Sequence, residues 1–341
     1  MKQNFNAWDV KIEDFFELQT AQEKLSFLLN FAVLAPSSHN SQPWSFRVTN
    51  NEIKIYADMA RSLPASDTNN RQLLISLGCV LENILTAAEY YGYEVKVSLL
   101  SDTADNSCIA SIVFSEAQNY IRPKHHAIFT IPKRRTNRTK YDNRPPEEDF
   151  IQWVSSLASE NTQFFLITNK TNKDAIADIV IEAGISAMES TDFRHELSQY
   201  VKNNYTSSPI GMPLYGFGVP GPISLIAPFM MKFVNMNKVN AKTDSDVLKN
   251  YTPAVLVIAT RDDTRKEWLE TGALYERIAL EAERRGLSTA PSAAVIQIGE
   301  LYKKLQETLK TNYRPQFFAR VGYAKDTTKP SPRLAANMVL K

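Results

Sequence analysis

Two stretches of the chain decide the fold: SLGCVLENILTAAEYYGY at 76–93 and ETGALYERIALEAERRGL at 270–287. In each, apolar side chains recur at helical spacing and a glycine marks the end, which predicts two long amphipathic helices. A constant shift of 194 residues pairs Gly78 with Gly272, Glu82 with Glu276, Ile84 with Ile278, Ala88 with Ala282, Glu89 with Glu283 and Gly92 with Gly286. Helices rich in alanine and glutamate resemble one another by composition alone, and that alternative stays open, but the matched glycines favour a duplicated unit.

The elements around the first of these helices follow the order helix, hairpin, helix, strands. Apolar residues from Ala21 to Ala35 keep helical spacing until Pro36 ends the helix. The alternating segment SFRVTNNEIKIYAD predicts a hairpin, the stretch from Arg71 to Tyr91 a long helix, and EVKVSLL and CIASIVFSEA two strands. A weaker echo of SQPWSFRVTN in ENTQFFLITN indicates that such elements recur in the second half.

We therefore predict an α+β fold of two pseudo-symmetric sheet-and-helix units, residues 1–130 and 131–341. The boundary falls near Ala127 to Pro132, where strand-like sequence gives way to a basic stretch. The second unit is longer, and its excess lies at about 190–244, which includes a Pro- and Gly-rich loop at 203–231 and the apolar segment PFMMKFV. Long apolar loops are typical of lids and binding loops, although a plain packing arm is an equal alternative.

The overall composition restricts the function. The chain has 341 residues, of which 43% are hydrophobic and 22% charged, and a net charge of +2, all ordinary for a globular protein. A charge this close to neutral argues against a nucleic-acid or anionic-membrane partner. Five prolines in the 203–231 loop argue against a membrane-spanning helix there. The first residues do not resemble a signal peptide and Cys79 and Cys108 cannot form a disulfide framework, so we expect a cytoplasmic protein.

A basic cluster precedes the helix pattern that begins near Pro145. It contains five cations in eight residues, namely Lys133, Arg134, Arg135, Arg138 and Lys140, interleaved with Thr136 and Asn137. Guanidinium groups together with a hydroxyl suit a phosphate, because planar donors meet its oxygens in pairs. A solvated basic turn is the alternative reading of the same residues.

The segment PSSHNSQPW at 36–44 is dense in small hydrogen-bonding side chains. Such a run can simply satisfy the carbonyl groups at the end of a helix. Ser38 and His39 are neighbours, but no GxSxG motif is present, so a serine hydrolase is not expected. The pair His125-His126 lacks an acidic partner at ligand spacing, so no metal site is expected.

Taken in their joint order, these segments resemble the FMN-dependent nitroreductase family over nearly the whole chain. APSSHNSQPWSF is similar to that family's serine-containing motif, RRTNR to its phosphate-binding signature, ERRGLSTAPS to its central helix and flavin-facing strand, and PQFFARVGYA with PSPRL to its closing strand and tail. In ordinary members the arginine signature precedes the serine motif, whereas here it follows. The chain therefore resembles the internally duplicated, Acg-like branch, in which one polypeptide imitates a dimer, and a monomer is expected.

The resemblance implies a set of FMN contacts. The phosphate and ribityl chain would be held by Arg134, Arg135, Thr136, Arg138 and Arg333, with Arg138 reaching toward the flavin N1–O2 edge. The ring and ribityl chain would be lined from the other unit by Pro36, Ser37, Ser38 and Asn40. Backbone N–H groups for flavin N5 and O4 would come from Ala290, Pro291 and Ser292. Because NFNAWDVKIEDFF near the N-terminus has no paired arginines, one FMN per chain is expected.

The resemblance also implies a reaction. FMN would pass a hydride from NAD(P)H to an electron-poor acceptor such as a nitroaromatic or a quinone, and no side chain need act as acid or base. His39 and Tyr215 are weak candidates for substrate contact, and a purely structural role is more common for such residues. An FMN-storage protein whose lid prevents turnover is the main alternative, and a flavin-free scaffold is a third.

Overall fold

The computed structural model describes residues 3–99, 107–226, 228–229 and 237–341. The apolar segment noted at 228–234 therefore lies outside the described residues from position 230 onward. The helices are α1 (Ala21–Ala32), α2 (Arg71–Tyr90), α3 (Glu148–Ser156), α4 (Lys170–Glu189), α5 (Thr191–Tyr200), α6 (Gly221–Ser224), α7 (Asn237–Asn250), α8 (Arg265–Arg284), α9 (Ala294–Gln297) and α10 (Leu301–Leu309). The strands are β1 (Trp44–Val48), β2 (Glu52–Ala57), β3 (Tyr93–Leu99), β4 (Cys108–Glu116), β5 (Thr162–Ile167), β6 (Val201–Lys202), β7 (Met212–Pro213), β8 (Ala254–Thr260), β9 (Ser288–Pro291) and β10 (Arg314–Gly322).

Two four-stranded antiparallel sheets share one topology. The first has the strand order β1-β2-β4-β3, with α2 connecting its second and third strands along the chain. The second has the order β5-β8-β10-β9, and α8 occupies the same place between β8 and β9. The predicted hairpin at residues 45–58 is the antiparallel pair β1 and β2. The expectation of two similar sheet-and-helix units is thus confirmed.

The two long central helices pack against each other through a matched pair of glycines. A β-carbon on Gly78 of α2 would overlap with the carbonyl oxygen of Leu269, and one on Gly272 of α8 would overlap with that of Ile75. Ile75 and Leu269 are themselves 194 residues apart, so the contact is the same when seen from either helix. The backbones can approach this closely because neither glycine carries a side chain.

This helix pair forms the centre of one continuous hydrophobic core. Eighteen of the twenty residues of α2 are buried, and the core cluster extends from α1 and the first sheet to α8 and the inner face of the second sheet. Among the described residues, α2 is the one helix long and apolar enough to cross a membrane, and 89% of that apolar window is buried inside the protein. That burial is what a core helix shows.

We predict that Gly272→Ala lowers the free energy of unfolding by about 3 kcal/mol, because the added methyl group meets backbone atoms that cannot move aside. Gly184→Ala is the matched control, since a β-carbon there would lie 3.9 Å from its nearest neighbour, Asp244 Oδ2. In α4 that change should be neutral or stabilising by up to about 1 kcal/mol. Urea denaturation of both variants measures the difference, and equal stabilities would contradict the proposed close contact.

Candidate functional site

A cavity of ≈ 260 Å³ lies at the junction of the two units. The first unit contributes the loop after α1 and the start of α2, while the second contributes the basic segment, the end of β9 and the residues after it. The residues from the first unit include Pro36, Ser37, Ser38, His39, Asp67, Gln72, Ser76 and Cys79. Those from the second include Thr136, Arg138, Tyr275, Pro291, Ser292, Gln297 and Phe318. Ala187, Phe193 and Met212, which come before, within and after α5, also line it.

The loop after α1 holds an unusual backbone conformation. His39, Asn40 and Gln42 have positive φ values of 52°, 54° and 53°, a region that residues other than glycine rarely adopt. Buried side-chain hydrogen bonds hold the loop in place: Asn40 Nδ2 donates to the carbonyl oxygens of Gly211 and Pro332 (both 2.9 Å), and Gln42 Nε2 donates to that of Pro209 (2.7 Å). Strained backbone that is fixed in this way is typical of ligand sites.

The basic segment enters the site beside β9. Thr136 forms a parallel bridge with Thr289, and the Asn137 N–H donates to the Thr289 carbonyl oxygen over 3.0 Å. This places Arg138 in the cavity wall, with its guanidinium carbon 4.7 Å from the ring centre of Phe217. Within the described residues, Arg138 has neither a hydrogen bond nor a carboxylate within ion-pair distance. Burial and then the charge of Arg320 lower the pKa of Arg138 to about 10, so it stays charged at neutral pH.

Arg134 is buried beside a buried carboxylate. Its Nε lies 3.0 Å from Glu276 Oε1, and both side chains are almost fully buried. Burial favours the neutral guanidine, but the negative charge of Glu276 raises the pKa of Arg134 above its ordinary value. Burial raises the pKa of Glu276 to about 7, although the charge of Arg134 opposes this. Arg134 Nη1 is buried without a hydrogen-bond partner among the described residues, so one guanidinium donor stays available.

The tail that follows the last strand brings a third arginine to this cluster. Arg333 is 5% exposed, donates from Nη1 to Asn40 Oδ1 over 2.5 Å and approaches the carbonyl oxygen of Ala35 over 3.2 Å with Nη2. Its Nε is buried and unpartnered among the described residues. Burial and then the charges of Arg134 and Arg135 hold the pKa of Arg333 well below its usual range. Arg134, Arg135 and Arg333 therefore lie close together and form an arginine cluster, which favours the binding of an anion.

The start of α2 forms a polar part of the cavity wall. The Asp67 carboxylate accepts hydrogen bonds from the backbone N–H groups of Gln72 (3.0 Å) and Leu73 (2.8 Å) and from Gln297 Nε2 (2.7 Å). Gln72 Nε2 is buried and has no partner among the described residues. Together with Arg138, these groups can bind a planar molecule with several polar edges, while the arginine cluster can bind an anionic tail.

The structure distributes the sequence-predicted residues over two places. The cavity is lined by Pro36, Ser37, Ser38, His39, Thr136, Arg138, Pro291 and Ser292. Outside its lining lie Arg134, Arg135, Asn40, Arg333, Ala290 and Tyr215. Asn40, Arg134 and Arg333 are buried in the arginine cluster, and the Tyr215 hydroxyl donates to the Pro330 carbonyl oxygen over 2.5 Å. Tyr215 therefore braces the tail, and the structure gives it no contact with the cavity.

One expectation at this site is wrong. Pro291 has no backbone N–H, and the N–H of Ser292 donates to the Phe318 carbonyl oxygen over 3.1 Å. These two residues shape the cavity wall, but neither can offer a free backbone donor to a ligand. The backbone N–H donors were assigned from the family resemblance of this segment. That assignment did not take into account that proline lacks an N–H group or that Ser292 pairs with β10.

Sequence reasoning also missed residues of the site. Glu276 served as evidence for the repeat through its match with Glu82, and its place on the helical face of Gly272, Ala279 and Leu280 was a signal of a buried charge. Asp67 stands before a long helix, where a carboxylate commonly caps the first turn. Trp8 and Glu196, described below, gave no signal, because their partners are more than 100 residues away.

Comparison with known families decides the classification. The nitroreductase family model matches residues 131–323, more than half of the chain, and a second model, "Putative TM nitroreductase", matches residues 10–88. The chain belongs to the nitroreductase family.

Several curated nitroreductase relatives are similar over nearly the full length. "Putative NAD(P)H nitroreductase Rv3131" of Mycobacterium tuberculosis is 24% identical over 94% of this chain and 91% of its own length. "Putative NAD(P)H nitroreductase acg" of the same organism is 24% identical over 89% of this chain and 90% of its own. Among solved structures, the FMN-dependent nitroreductase NfnB of Mycobacterium smegmatis in complex with NADPH is 15% identical, with a TM-score of 0.43, over 63% of this chain and 97% of that one.

We predict that His39 makes the stability of the protein depend on pH. Burial and the charge of Arg138 lower the pKa of His39 from 6.5 to about 4. As the pH falls below 6.5 the unfolded chain takes up this proton first, so stability falls between pH 6.5 and pH 4, by up to about 3 kcal/mol from this group. The His39→Asn variant, which keeps a residue tolerant of positive φ, should lack this contribution. Urea denaturation at pH 7.5 and 4.5 compares the two proteins, and an identical pH dependence would contradict the assignment.

Proposed function

We propose that the protein is an FMN-binding oxidoreductase whose flavin lies across the junction of the two units. The observation that carries the proposal is the guanidinium of Arg138, a half-buried charged group in the cavity wall that contacts the ring of Phe217 but has no side-chain hydrogen bond or ion pair among the described residues. A ligand in the cavity could supply the missing negative charge or hydrogen-bond acceptor. FMN offers acceptors on its ring and an anionic tail.

The arginine cluster fits the phosphate of FMN. Arg134 Nη1 and Arg333 Nε are buried donors without partners among the described residues, and Arg135 lies next to them. One carboxylate, Glu276, lies within ion-pair distance of the cluster among the described residues. A phosphate with close to two negative charges would balance the remaining guanidinium groups, and Thr136, which follows Arg135 in the chain, lines the cavity.

The cavity fits the ring of FMN. Pro36, Ser37 and Ser38 would line the ring from one side, and Arg138 would bring positive charge to its N1–O2 edge. The partnerless amide of Gln72, beside Asp67, is a further donor for the polar edge of the ring. When bound, FMN supplies the chemistry of accepting a hydride from NAD(P)H and passing it to an electron-poor acceptor, for which nitroaromatics and quinones are our candidates. The protein's residues orient the ring and shield it from water.

One flavin per chain follows from the way the repeat has diverged. Glu276 faces Arg134, but its counterpart Glu82 accepts two hydrogen bonds from Arg277 of α8, at 2.7 and 3.0 Å. The side chain of Glu82 is thus paired within the helix bundle, and no arginine from the N-terminal segment reaches it in the described structure. A chain that builds its own junction needs no second copy to complete the site, so we also propose a monomer.

A storage role is the second candidate, and the residues around α5 favour it. Phe193 and Met212, within the lid that we propose at about 190–244, line the cavity and would form part of its cover. Glu196 of α5 fastens this cover, because its carboxylate accepts the backbone N–H groups of Ala65 (2.9 Å) and Ser66 (3.0 Å) as well as the Ser66 hydroxyl. A flavin under this cover would be shielded from NAD(P)H unless α5 moves.

We predict that FMN binds at one equivalent per chain and that Arg138→Gln weakens its binding about tenfold or more, because a charge-assisted hydrogen bond is lost. Fluorescence titration of the flavin-free protein measures both. Arg144→Gln is the control, since Arg144 is an exposed arginine stacked on Tyr323 and lies outside the cavity lining. Two equivalents, no binding, or equal affinities for the two variants would contradict the proposal.

We predict that removing the fastening of α5 speeds reduction of the bound flavin. Anaerobic stopped-flow mixing with NADH or NADPH should bleach the flavin of the wild type on the timescale of turnover, and Glu196→Ala should be faster. Glu189→Ala, an exposed glutamate just before α5, is the control. Bleaching in Glu196→Ala alone would favour storage under a closed lid. Bound flavin that is reduced in none of the three proteins would contradict the enzyme.

A further inference from the structure

Trp8 lies against two of the arginines of the cluster. The centre of its ring is 3.9 Å from the guanidinium carbon of Arg135 and 4.9 Å from that of Arg333, and the residue is 8% exposed. These distances are typical of cation–π contacts, which are stronger when the partners are shielded from water. The N-terminal segment of the first unit, which has no paired arginines of its own, thus supplies an aromatic face to the arginines of the second unit and the tail.

The same indole also fixes the tail that carries Arg333. Four consecutive residues of the tail, Pro330 to Arg333, are held by hydrogen bonds with three segments of the chain. Tyr215 binds the carbonyl oxygen of Pro330 (2.5 Å), Trp8 Nε1 that of Ser331 (2.8 Å), and Asn40 that of Pro332 (2.9 Å), while the N–H of Arg333 donates to the Asn4 carbonyl oxygen (3.0 Å). Two of these four contacts come from the segment Gln3–Trp8. That segment therefore helps to fix the backbone from which the guanidinium of Arg333 extends.

The cluster needs such support because its charges repel one another. Arg134, Arg135 and Arg333 lie close enough together for the charge of one to affect the ionisation of another. Because the cluster is largely shielded from water, this repulsion is only weakly screened. The electron-rich face of Trp8 offsets part of the repulsion on the side of Arg135 and Arg333. The donors without partners, Arg134 Nη1 and Arg333 Nε, can then stay in place before an anion arrives.

We propose that Trp8 is a positioning residue that holds the arginine cluster ready for a phosphate and so makes the site select phosphorylated flavin over flavin without a phosphate. This inference rests on the proposed FMN site. Trp8 acts through Arg135 and Arg333, and the proposal gives it no contact with the flavin ring. Its loss should therefore weaken the binding of FMN and leave the binding of riboflavin nearly unchanged.

The test compares the dissociation constants of FMN and riboflavin, measured by fluorescence titration on the full chain. Trp8→Leu removes the aromatic face and the hydrogen bond to Ser331, and we expect FMN to bind about tenfold more weakly. Trp8→Phe keeps an aromatic face without the indole N–H and should be intermediate, and it carries the test if Trp8→Leu does not fold. Trp153→Leu is the matched control, because Trp153 stacks on Phe150 within α3, and in the described part of the chain it has no hydrogen bond or cation–π contact with Arg134, Arg135 or Arg333.

A second readout uses inorganic phosphate alone. Phosphate should raise the melting temperature of the flavin-free wild type and of Trp153→Leu more than that of Trp8→Leu. Equal losses of FMN and riboflavin affinity, or an unchanged affinity for FMN, would overturn the role of Trp8. If the wild type binds neither flavin, the proposed function fails, and the phosphate readout still decides on Trp8: a smaller rise in the variant supports the proposal, and equal rises overturn it.

Discussion

The close approach of α2 and α8 at Gly78 and Gly272 is the constraint on which the rest of the structure depends. Each glycine packs against a backbone carbonyl oxygen of the facing helix, and this contact leaves no room for a β-carbon on either glycine. The two units therefore share one buried core and cannot separate without exposing it. With the helices fixed in this way, the loop after α1 and the basic segment before α3 meet at the same junction, although nearly 100 residues separate them in the chain.

The symmetry of this framework makes the differences between the units informative. Glu82 and Glu276 occupy equivalent helix positions, yet one is paired with Arg277 of the facing helix and the other with Arg134 of the basic segment. Arg277 stands where the first unit has Asn83, whose amide donates to the carbonyl oxygen of Phe31. A duplicated framework can therefore keep its central packing while charge is concentrated at one of two equivalent places. Buried guanidinium donors without partners are costly, and Arg134 Nη1 and Arg333 Nε are two such donors at that place, which is the basis of the anion site that we propose there.

Much of the fold could be predicted from the sequence, because the signals were local or periodic. The helical spacing of 71–91, the alternation of 45–58 and the 194-residue shift lead directly to α2, to the first hairpin and to a second unit with the same strand order. The arginine motif and the serine motif were also found. Their meeting at one cavity followed from the family resemblance, since no local pattern specifies which distant segments come together.

The details of the site could not be predicted for the same physical reason. Trp8 and Glu196 act through partners more than 100 residues away, and such contacts leave no periodic trace. The expectation of free backbone donors at Pro291 and Ser292 was wrong. Proline has no N–H group, and a sequence motif does not show that the N–H of Ser292 is already hydrogen-bonded to Phe318. The capacity of the site to bind an anion depends on the balance of buried charges, such as those of Arg134, Arg333 and Glu276. This balance can be assessed only from the burial of the side chains and the distances between them.

The most direct test of a single flavin across the junction is a crystal structure of the full chain grown with FMN. We predict density for one ring in the cavity beside Arg138 and under the cover of α5, with the phosphate against Arg134 and Arg333. A ring bound elsewhere, a second ring near Glu82, or a cavity that stays free of flavin at saturating FMN would contradict it.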